Sequence, residues 1–408
     1  MPKPTSDCRA TERKHPWPMV RLGELGMMVR GNGIKRCETI ETGCPCLRYG
    51  EIYTSFNVIL DKPRSFVPKE LFDKSVKIKK GDLVFTLTGE NTEEIAKSLA
   101  YLGDGEIAAG GDLAVWTGHG CDSKYLAYLM YSPQLISQKA ATGNGNIVVH
   151  TSIKKLQQLE IPLPPLPVQR EIVARLEREL AAVEKMKKGF EALAETAKAE
   201  FKAELKEVFE EIKRGGAETR RLGEVCELIK DGEHKTPRRV ESYCGYYLLS
   251  ARNVKDDNLA LEDVDYVDKE EFDRIAKRCR PIAGDVLISC SGSVGRVCVA
   301  DEAAYVMVRS AAMVRASRFD SRFLMFMLQS DWLQKQIAKL QRQAAQANLF
   351  LGAIAELNVY VPPLAAQREV VTRLDFVKAR AEKLEAKARE GVAVCETMRK
   401  AILKEAFE

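Results

Sequence analysis

The side chains of this chain that could bind a metal ion or act as nucleophiles include eleven cysteines and four histidines. Structural zinc sites hold pairs of cysteine or histidine ligands separated by roughly two to four residues. Here the one close pair, Cys44 and Cys46, has a single residue between its members. The other cysteines are scattered, and several, such as Cys290 and Cys298, lie in apolar segments. We therefore expect reduced, buried thiols and no metal site.

Motifs of catalysis are also absent from the sequence. The segment Gly292–Arg296 lacks the lysine and hydroxyl of a P-loop, and both Pro-Pro pairs are followed by leucine instead of the aromatic residue of an amino-methyltransferase motif. The histidines are His15, His119, His150 and His234, and none is near another in the sequence. The last three lie in polar loops, where we expect binding or solvated roles. The sequence therefore favours a protein that is not an enzyme.

Polar loops rich in glycine and basic residues offer groups that suit DNA binding. Glycine lets a backbone approach a phosphate, lysine and arginine supply charge, and Arg, Asn and Gln pair bidentately with base edges. In each half of the chain such loops follow an early strand, follow a Gly-Asp strand, and precede a closing strand. Solvated turns with incidental charge are the alternative explanation for each loop. The candidate DNA-binding residues are Arg30, Asn32, Lys35, Arg36, Thr86, Thr88, Asn144, Asn146, His150, Lys230, His234, Lys235, Thr236, Arg238, Arg239, Ser291, Ser293, Arg296, Arg342, Gln343, Gln346 and Asn348.

These loops belong to an internal repeat, in which four segments return in the same order about 200 residues later. A period of this length indicates duplicated domains and excludes a solenoid. The short apolar strands after Gly-Asp and the short helices that follow predict an α+β fold for each copy. The matching pairs are Val20–Leu25 with Arg220–Val225, Lys80–Phe85 with Ala283–Ile288, Asp122–Leu126 with Asp320–Leu324, and Leu163–Val173 with Val361–Val371.

A long amphipathic helix follows each copy. Apolar residues recur every three or four positions from Ile172 and from Val370, over about forty residues or roughly 60 Å. Stripes of this length must pack on a partner helix, either on each other as an antiparallel coiled coil or in another chain. The expected division is a flexible leader over 1–16, a first domain over 17–166, a first helix over 167–214, a second domain over 215–364 and a second helix over 365–408.

Composition and charge set further bounds. The net charge is +5, from 63 Lys and Arg against 58 Asp and Glu, which is too small to indicate nucleic-acid binding unless the charge is concentrated on one face. No run of about eighteen apolar residues predicts a membrane span, and the first twenty residues lack the apolar stretch of a signal peptide. We expect a cytoplasmic protein.

Taken together, these features resemble the specificity (S) subunit of type I restriction–modification systems. The resemblance is carried by the repeated Arg-Leu-Gly-Glu openings, the Gly-Asp strands with the Ser-Gly-Ser sequence after the second, and the Pro-Pro-Leu…Gln-Arg-Glu junctions at 164–171 and 362–369. The loop Asp231–Pro237 is also similar to the loop that opens many such domains. The first copy departs from this form at Gly31–Ile34. The resemblance covers the chain from about Trp17 onward.

The resemblance implies a fold and a function. Each globular part would be a target recognition domain that reads one half of a bipartite DNA site, and the two helices would set the spacing as an antiparallel coiled coil. Methyltransferase (M) subunits, two for each S subunit, and restriction (R) subunits would assemble on the chain. This chain would bind no cofactor, because S-adenosylmethionine, ATP and Mg would bind the partner subunits.

Two other functions compete with this interpretation. The chain could be a coiled-coil scaffold that binds only proteins, in which case Arg36, Arg238, Arg239 and Arg296 would be dispensable. It could also be part of a fused restriction–methylase, which would require catalytic motifs that the sequence lacks.

Overall fold

A computed structural model describes residues 16–55, 58–145, 148–343 and 348–407 of the chain. These residues form two compact units. Unit 1 comprises the described residues up to Phe190 together with those from Glu390 onward, and unit 2 comprises Glu191–Arg389. Of the leader expected over 1–16, residues 1–15 lie outside the described residues. Each unit combines an α+β domain with segments of two long helices, so the predicted fold class is confirmed.

The elements of unit 1 begin with short strands and end in the first long helix. Its strands are β1 (Met19–Arg21), β2 (Met27–Arg30), β3 (Cys44–Leu47), β4 (Ile59–Leu60), β5 (Ser65–Val67), β6 (Lys77–Ile78), β7 (Leu83–Thr86), β8 (Thr88–Gly89), β9 (Ser98–Tyr101), β10 (Ile107–Ala109), β11 (Leu113–Thr117), β12 (Val149–His150) and β13 (Glu160–Pro162). Its helices are α1 (Leu22–Leu25), α2 (Tyr49–Thr54), α3 (Lys69–Lys74), α4 (Ser123–Leu129), α5 (Pro133–Thr142), α6 (Ile153–Leu156) and the first part of α7 (Leu166–Arg214), with a 3-10 turn at Arg36–Glu38.

The centre of unit 1 is a mixed, mainly antiparallel sheet of order β2-β11-β7-β9-β4. Successive side chains of a strand point to opposite faces, and both faces of this sheet are covered. Phe85 and Trp116 pack in the same apolar cluster as α4, whereas Val84 and Val115 belong to a second cluster. Burial on both faces explains why the strand after Gly-Asp is continuously apolar instead of alternating. A second sheet has the order β5-β3-β10-β6.

Unit 2 repeats this plan. The sheet order β15-β21-β18-β19 corresponds to β2-β11-β7-β9, and the pair β14-β22 corresponds to β1-β13. Its strands are β14 (Thr219–Arg221), β15 (Leu228–Asp231), β16 (Tyr247–Leu249), β17 (Asp265–Tyr266), β18 (Val286–Ser289), β19 (Val297–Val299), β20 (Tyr305–Met307), β21 (Ala311–Arg315) and β22 (Asn358–Tyr360). Its helices are α8 (Leu222–Val225), α9 (Lys269–Ala276), α10 (Ser321–Gln329), α11 (Asp331–Gln343), α12 (Leu351–Ala355) and parts of α7 and α13 (Leu364–Phe407).

The repeated Gly-Asp sequence has a structural cause in both units. Gly81 and Gly284 have φ of +98° and +90°, a conformation that favours glycine, at the turn before the central strand. The next residue stabilises that turn, because Asp82 accepts the backbone N–H of Lys79 at 2.8 Å and Asp285 accepts that of Ile282 at 2.9 Å. The motif is therefore a turn signal, and it places no charge on a recognition surface.

The long helices α7 and α13 pack antiparallel within each unit. In unit 1 the ion pair Lys187–Glu396 connects them, and a Cβ at Gly391 would lie 2.5 Å from the ring of Phe190. In unit 2, Arg373 of α13 pairs with Glu204 and Glu211 of α7. Early residues of one helix thus meet late residues of the other, and the prediction of an antiparallel helix pair is confirmed.

A buried glutamine fixes each long helix to its domain. The Gln169 side chain accepts the backbone N–H of Asp122 at 2.8 Å and donates to the Pro164 carbonyl at 2.8 Å. Gln367 makes the same bonds with Asp320 and Pro362, and it also donates to the carbonyl of Arg318. Both glutamines are at most 2% exposed. Each one satisfies a backbone N–H at the start of α4 or α10 and a carbonyl of the proline-containing junction.

We expect Gln169→Leu and Gln367→Leu each to lower the melting temperature of the unit that contains the substitution. Each change leaves a backbone N–H and a carbonyl without their partners, a cost of about 2–3 kcal/mol, or about 5–10 °C. Differential scanning calorimetry measures this. The control is Gln134→Leu on the exposed side of α5. Melting of the two buried variants at the wild-type temperature would contradict the role of the glutamines.

Candidate nucleic-acid interface

An open cavity of about 420 Å³ in unit 1 lies between the loop after β2 and the turn that enters β11. Its walls carry the cations Arg30, Lys35 and Arg48, the half-exposed ring of Tyr49, and several glycines. A Cβ at one of these glycines, Gly31, would lie 2.1 Å from a backbone carbonyl oxygen, so only glycine fits there. The cavity combines positive charge, an aromatic face and accessible backbone, which are groups that bind phosphates and bases.

Two of the predicted residues in this region hold the cavity together. Arg30 donates to the Gly111 carbonyl at 2.8 Å and pairs with Asp112 at 3.3 Å. The Asn32 side chain accepts the backbone N–H of Val76 at 2.7 Å. Lys35 and Arg36 have exposed side chains at the start of the following 3-10 turn. The charge available for a ligand therefore comes more from Lys35 and Arg36 than from Arg30.

A second cluster in unit 1 joins two of the predicted loops. Strands β8 and β12 pair Thr88 with His150, and the Thr88 hydroxyl lies 3.2 Å from Nδ1 of His150. Asn144 forms a bridge to His150 through its backbone and is exposed. Thr86 does not join this surface. It is fully buried and bonded to the Tyr53 hydroxyl, so its predicted contact with DNA is wrong, because a buried hydroxyl is not accessible.

The corresponding place in unit 2 holds a cavity of about 240 Å³, between the loop after β15 and the turn that enters β21. His234, Ser291 and Asn348, which the sequence predicts on three separate loops, all line it. Arg309 and the exposed ring of Phe350 complete its walls. The fold thus brings together one residue from each predicted loop class.

Ion pairs fix the shape of the predicted loop at 231–239. Asp231 forms an ion pair with Arg278 at 3.0 Å, and its carboxylate also lies within hydrogen-bond distance of Nε2 of His234, at 2.7 Å. Arg238 pairs with Asp268 and Glu270, and Arg239 pairs with Asp265 at 2.9 Å. These carboxylates neutralise both arginines, which makes Arg238 and Arg239 structural supports of the loop in this structure.

Other cations of unit 2 retain their charge. Over the part of the chain that the structure describes, Lys230, Lys235, Arg296 and Arg309 form no ion pair through their side chains. Thr236 and Ser293 are also exposed in these loops. The four unpaired cations are therefore the groups of this surface that remain available to a polyanion.

The remaining predicted residues have incomplete descriptions. Asn146 and Gln346 lie outside the described residues. Arg342 and Gln343 form the C-terminal end of α11, but their side chains are likewise outside the description.

Comparisons with known proteins show the family to which the chain belongs. A family model described as "Type I restriction modification DNA specificity domain" matches residues 14–190 and again 215–392. This chain belongs to that family. The type I restriction enzyme MjaVIII specificity subunit of Methanocaldococcus jannaschii is 21% identical over 380 residues, covering 88% of this chain and 86% of the relative. The EcoBI specificity subunit of Escherichia coli is 23% identical over 313 residues, covering 70% of this chain and 66% of the relative.

Solved structures share the fold of this specificity-domain protein. A chain from work on complex assembly and conformational transition of the type I R-M system matches with a TM-score of 0.71 and 20% identity, covering 97% of this chain and 99% of the other. The HsdS subunit from Thermoanaerobacter tengcongensis matches with a TM-score of 0.55 and 19% identity, covering 97% and 98%.

Sequence reasoning missed several residues of this family member's cavities. Arg48, Tyr49, Arg309 and Phe350 follow no glycine-rich motif, and they reach the cavities only through the fold. Exposed aromatic rings beside basic loops were the one available signal.

The expectation of a binding or solvated role for His119 was wrong. The imidazole is buried, packs against the Trp116 ring at 4.9 Å between centroids, and bonds to the Gly81 carbonyl, and its burial lowers its pKa.

Cysteine chemistry plays no visible part in these cavities. Burial raises the pKa values of Cys290 and Cys298 to about 12, so both thiols stay protonated at neutral pH. Among the described residues, no three His, Cys, Asp or Glu side chains are grouped so that they could hold a metal ion. Within the same residues, no helix has an apolar stretch that could cross a membrane.

Glu271 supports the 231–239 loop and gives unit 2 a pH dependence. It accepts the backbone N–H of Arg238, and its hydrogen bonds with the Arg274 guanidinium lower its pKa to about 2. A depressed carboxyl pKa contributes stability above its ordinary value of 4.5, and this contribution is lost as the pH falls towards 2. We expect Glu271→Gln to lower the melting temperature of unit 2 by about 5 °C at pH 7, with the difference from wild type shrinking below pH 4.5.

Thermal unfolding at several pH values tests this expectation, and the control is Glu262→Gln, whose side chain is exposed. A difference between Glu271→Gln and wild type that is independent of pH would exclude the carboxylate as its cause.

Proposed function

We propose that this chain is the DNA sequence-recognition subunit of a type I restriction–modification complex. Each globular domain reads one half of a bipartite DNA site. The observation that carries the proposal is the recurrence of one cavity at the equivalent place in both units, bounded in each by the loop after β2 or β15 and the turn that enters β11 or β21. Family membership supports it independently.

The groups around each cavity suit a duplex. Unpaired cations supply the sequence-independent attraction to phosphates, and glycines allow close approach of the backbone. Arg309, Asn348 and His234 offer hydrogen-bonding groups for base edges in unit 2, where Arg pairs with guanine and Asn with adenine. In unit 1 the corresponding groups are Lys35, Arg36 and Tyr49.

The long helices serve this function as a spacer and as a docking surface. A packed antiparallel pair resists bending, so it fixes the number of base pairs between the half-sites. Two M subunits and then R subunits assemble on the chain. In this proposal S-adenosylmethionine, ATP and Mg bind those partners, and adenine methylation and ATP-dependent cleavage are the partners' reactions. The chain itself supplies recognition and performs no chemistry.

Selection from a random DNA library by the complex of this chain with its M subunits tests the proposal. The selected sequences should contain two blocks of fixed bases at a constant gap. Arg309→Ala should relax or weaken preference in one block, and Tyr49→Ala in the other, each by about 5- to 100-fold at the affected base. Genomic methylated adenines should show the same wild-type motif.

Several outcomes would count against this function. If the assembled complex enriches no DNA sequence, a scaffold that binds only proteins is the better explanation. Changes in both blocks from one substitution would contradict the assignment of one half-site to each unit.

The two kinds of arginine in unit 2 predict different phenotypes. Arg296→Ala removes a cation that has no carboxylate partner among the described residues, so DNA affinity should fall and the slope of log affinity against log salt should lessen by about 1. Arg239→Ala removes a cation that Asp265 already neutralises. The salt dependence of DNA affinity should therefore stay near wild type in this variant, while unit 2 melts at a lower temperature. Fluorescence anisotropy across a salt series separates them, and equal changes in slope would contradict the distinction.

A further inference from the structure

A buried lysine in unit 1 occupies a position that is apolar in unit 2. Gln138 of α5 exchanges two hydrogen bonds with the backbone of Glu160, and Gln336 of α11 exchanges the same two with Asn358, which aligns the helices. The next residue is Lys139 in one copy and Ile337 in the other. They are 3% and 2% exposed, so both side chains lie in the interior of their units.

Lys139 has no counter-ion in this position. Across the described residues its ammonium group forms no ion pair or hydrogen bond, and Nζ lies over the face of the Tyr131 ring, 5.3 Å from the centroid. The charge that acts on it most is that of Lys97, which repels it. An unpaired buried ammonium is costly, and replacement by an aliphatic residue, as in unit 2, would remove that cost.

The lysine lines a cavity of about 340 Å³ between α5, the segment after β8 and the end of α13. Lys97, Arg399 and Lys400 line the same cavity, so four cations face one space. Tyr131, Ile136 and Leu403 form an apolar wall beside them.

Three carboxylates also face this cavity, and none pairs with Lys139. Glu396 is bound to Lys187, whose hydrogen bond lowers the Glu396 pKa. Glu94 accepts from the side chain of Asn91 at 3.3 Å. Glu93 is exposed at the rim. The buried end of the cavity therefore keeps a positive charge that nothing in the described chain neutralises.

We propose that this cavity binds a phosphate-sized oxyanion, free or carried on a small organic molecule, with Lys139 as its buried ligand. The anion provides the negative charge that Lys139 lacks among its neighbours, and Lys97, Arg399 and Lys400 bind the anion from the rim. The apolar wall accommodates the organic part of a phosphate monoester. The proposal does not depend on the function of the chain in DNA recognition.

Protonation links this binding to pH. Burial and the neighbouring Lys97 lower the pKa of Lys139 to about 7, well below its ordinary 10.5. Binding of an anion favours the charged form, so affinity should be highest below pH 7 and should fall as the pH rises through 7. The other charged groups that face the cavity are the cations Lys97, Arg399 and Lys400, which favour anion binding, and the three glutamates, which oppose it.

Isothermal titration of the full chain with inorganic phosphate, phenyl phosphate and sulfate at constant ionic strength tests the proposal. Sulfate keeps its charge from pH 6 to 9, so a fall in its affinity over that range reports on the protein. We expect at least a tenfold fall for wild type, and proton uptake on binding near pH 7.5. Tighter binding of phenyl phosphate than of phosphate would identify a phosphate monoester as the ligand class, whereas equal affinities would identify the free anion.

Lys139→Met should abolish binding while raising the melting temperature at pH 6.5, and the exposed Lys74→Met should leave both unchanged. Lys97→Gln and Arg399→Gln should each weaken binding several-fold, which keeps the test decisive if Lys139→Met fails to fold. Absence of millimolar binding to wild type, or wild-type affinity in Lys139→Met, would overturn the proposal.

Discussion

The geometry of each unit depends on one interaction, the pair of hydrogen bonds from a buried glutamine at the start of each long helix. Gln169 and Gln367 lie just after proline pairs, whose nitrogens cannot donate. Their amide oxygens accept the backbone N–H of the residue that caps helix α4 or α10 of the domain, Asp122 or Asp320. The strand, the proline junction and the recognition domain are thereby held on the helix as one body, and the loops inherit their positions from it.

The sequence repeat predicted this architecture because many of its matching residues occupy positions that only a few residue types can fill, through their backbone conformation, close packing or burial. Gly81 and Gly284 adopt a positive φ, and Leu22 and Leu222 begin the short helices with fully buried side chains. Close approach explains a further match, since a Cβ at Gly223 would lie 2.9 Å from Ala355. Positions of this kind leave a signal in one sequence, whereas the exact ends of strands and helices depend on tertiary contacts.

The same reasoning could find the loops but not the state of their charges. Arg30 is neutralised by Asp112 and Arg239 by Asp265, across separations that no local pattern reveals. Among the residues that the structure describes, Lys230 and Arg309 have no carboxylate partner. A modest net charge of +5 is therefore compatible with a polyanion-binding surface. Carboxylates pair with the arginines that support the loops, whereas other cations in the same loops keep a net positive charge at the surface.

Differences between the two copies carry as much information as their likenesses. Residues that satisfy the backbone, such as Gln138 and Gln336, are the same in both copies because the identical hydrogen bonds must be made. Residues that face a ligand are released from that requirement and can diverge with the ligand. The cavity residues differ in this way, with Tyr49 in one unit and Phe350 in the other on different loops. The two copies also differ inside the core, where Lys139 of unit 1 occupies the position of Ile337 in unit 2. A buried charge without a partner is unfavourable unless a ligand of opposite charge binds it.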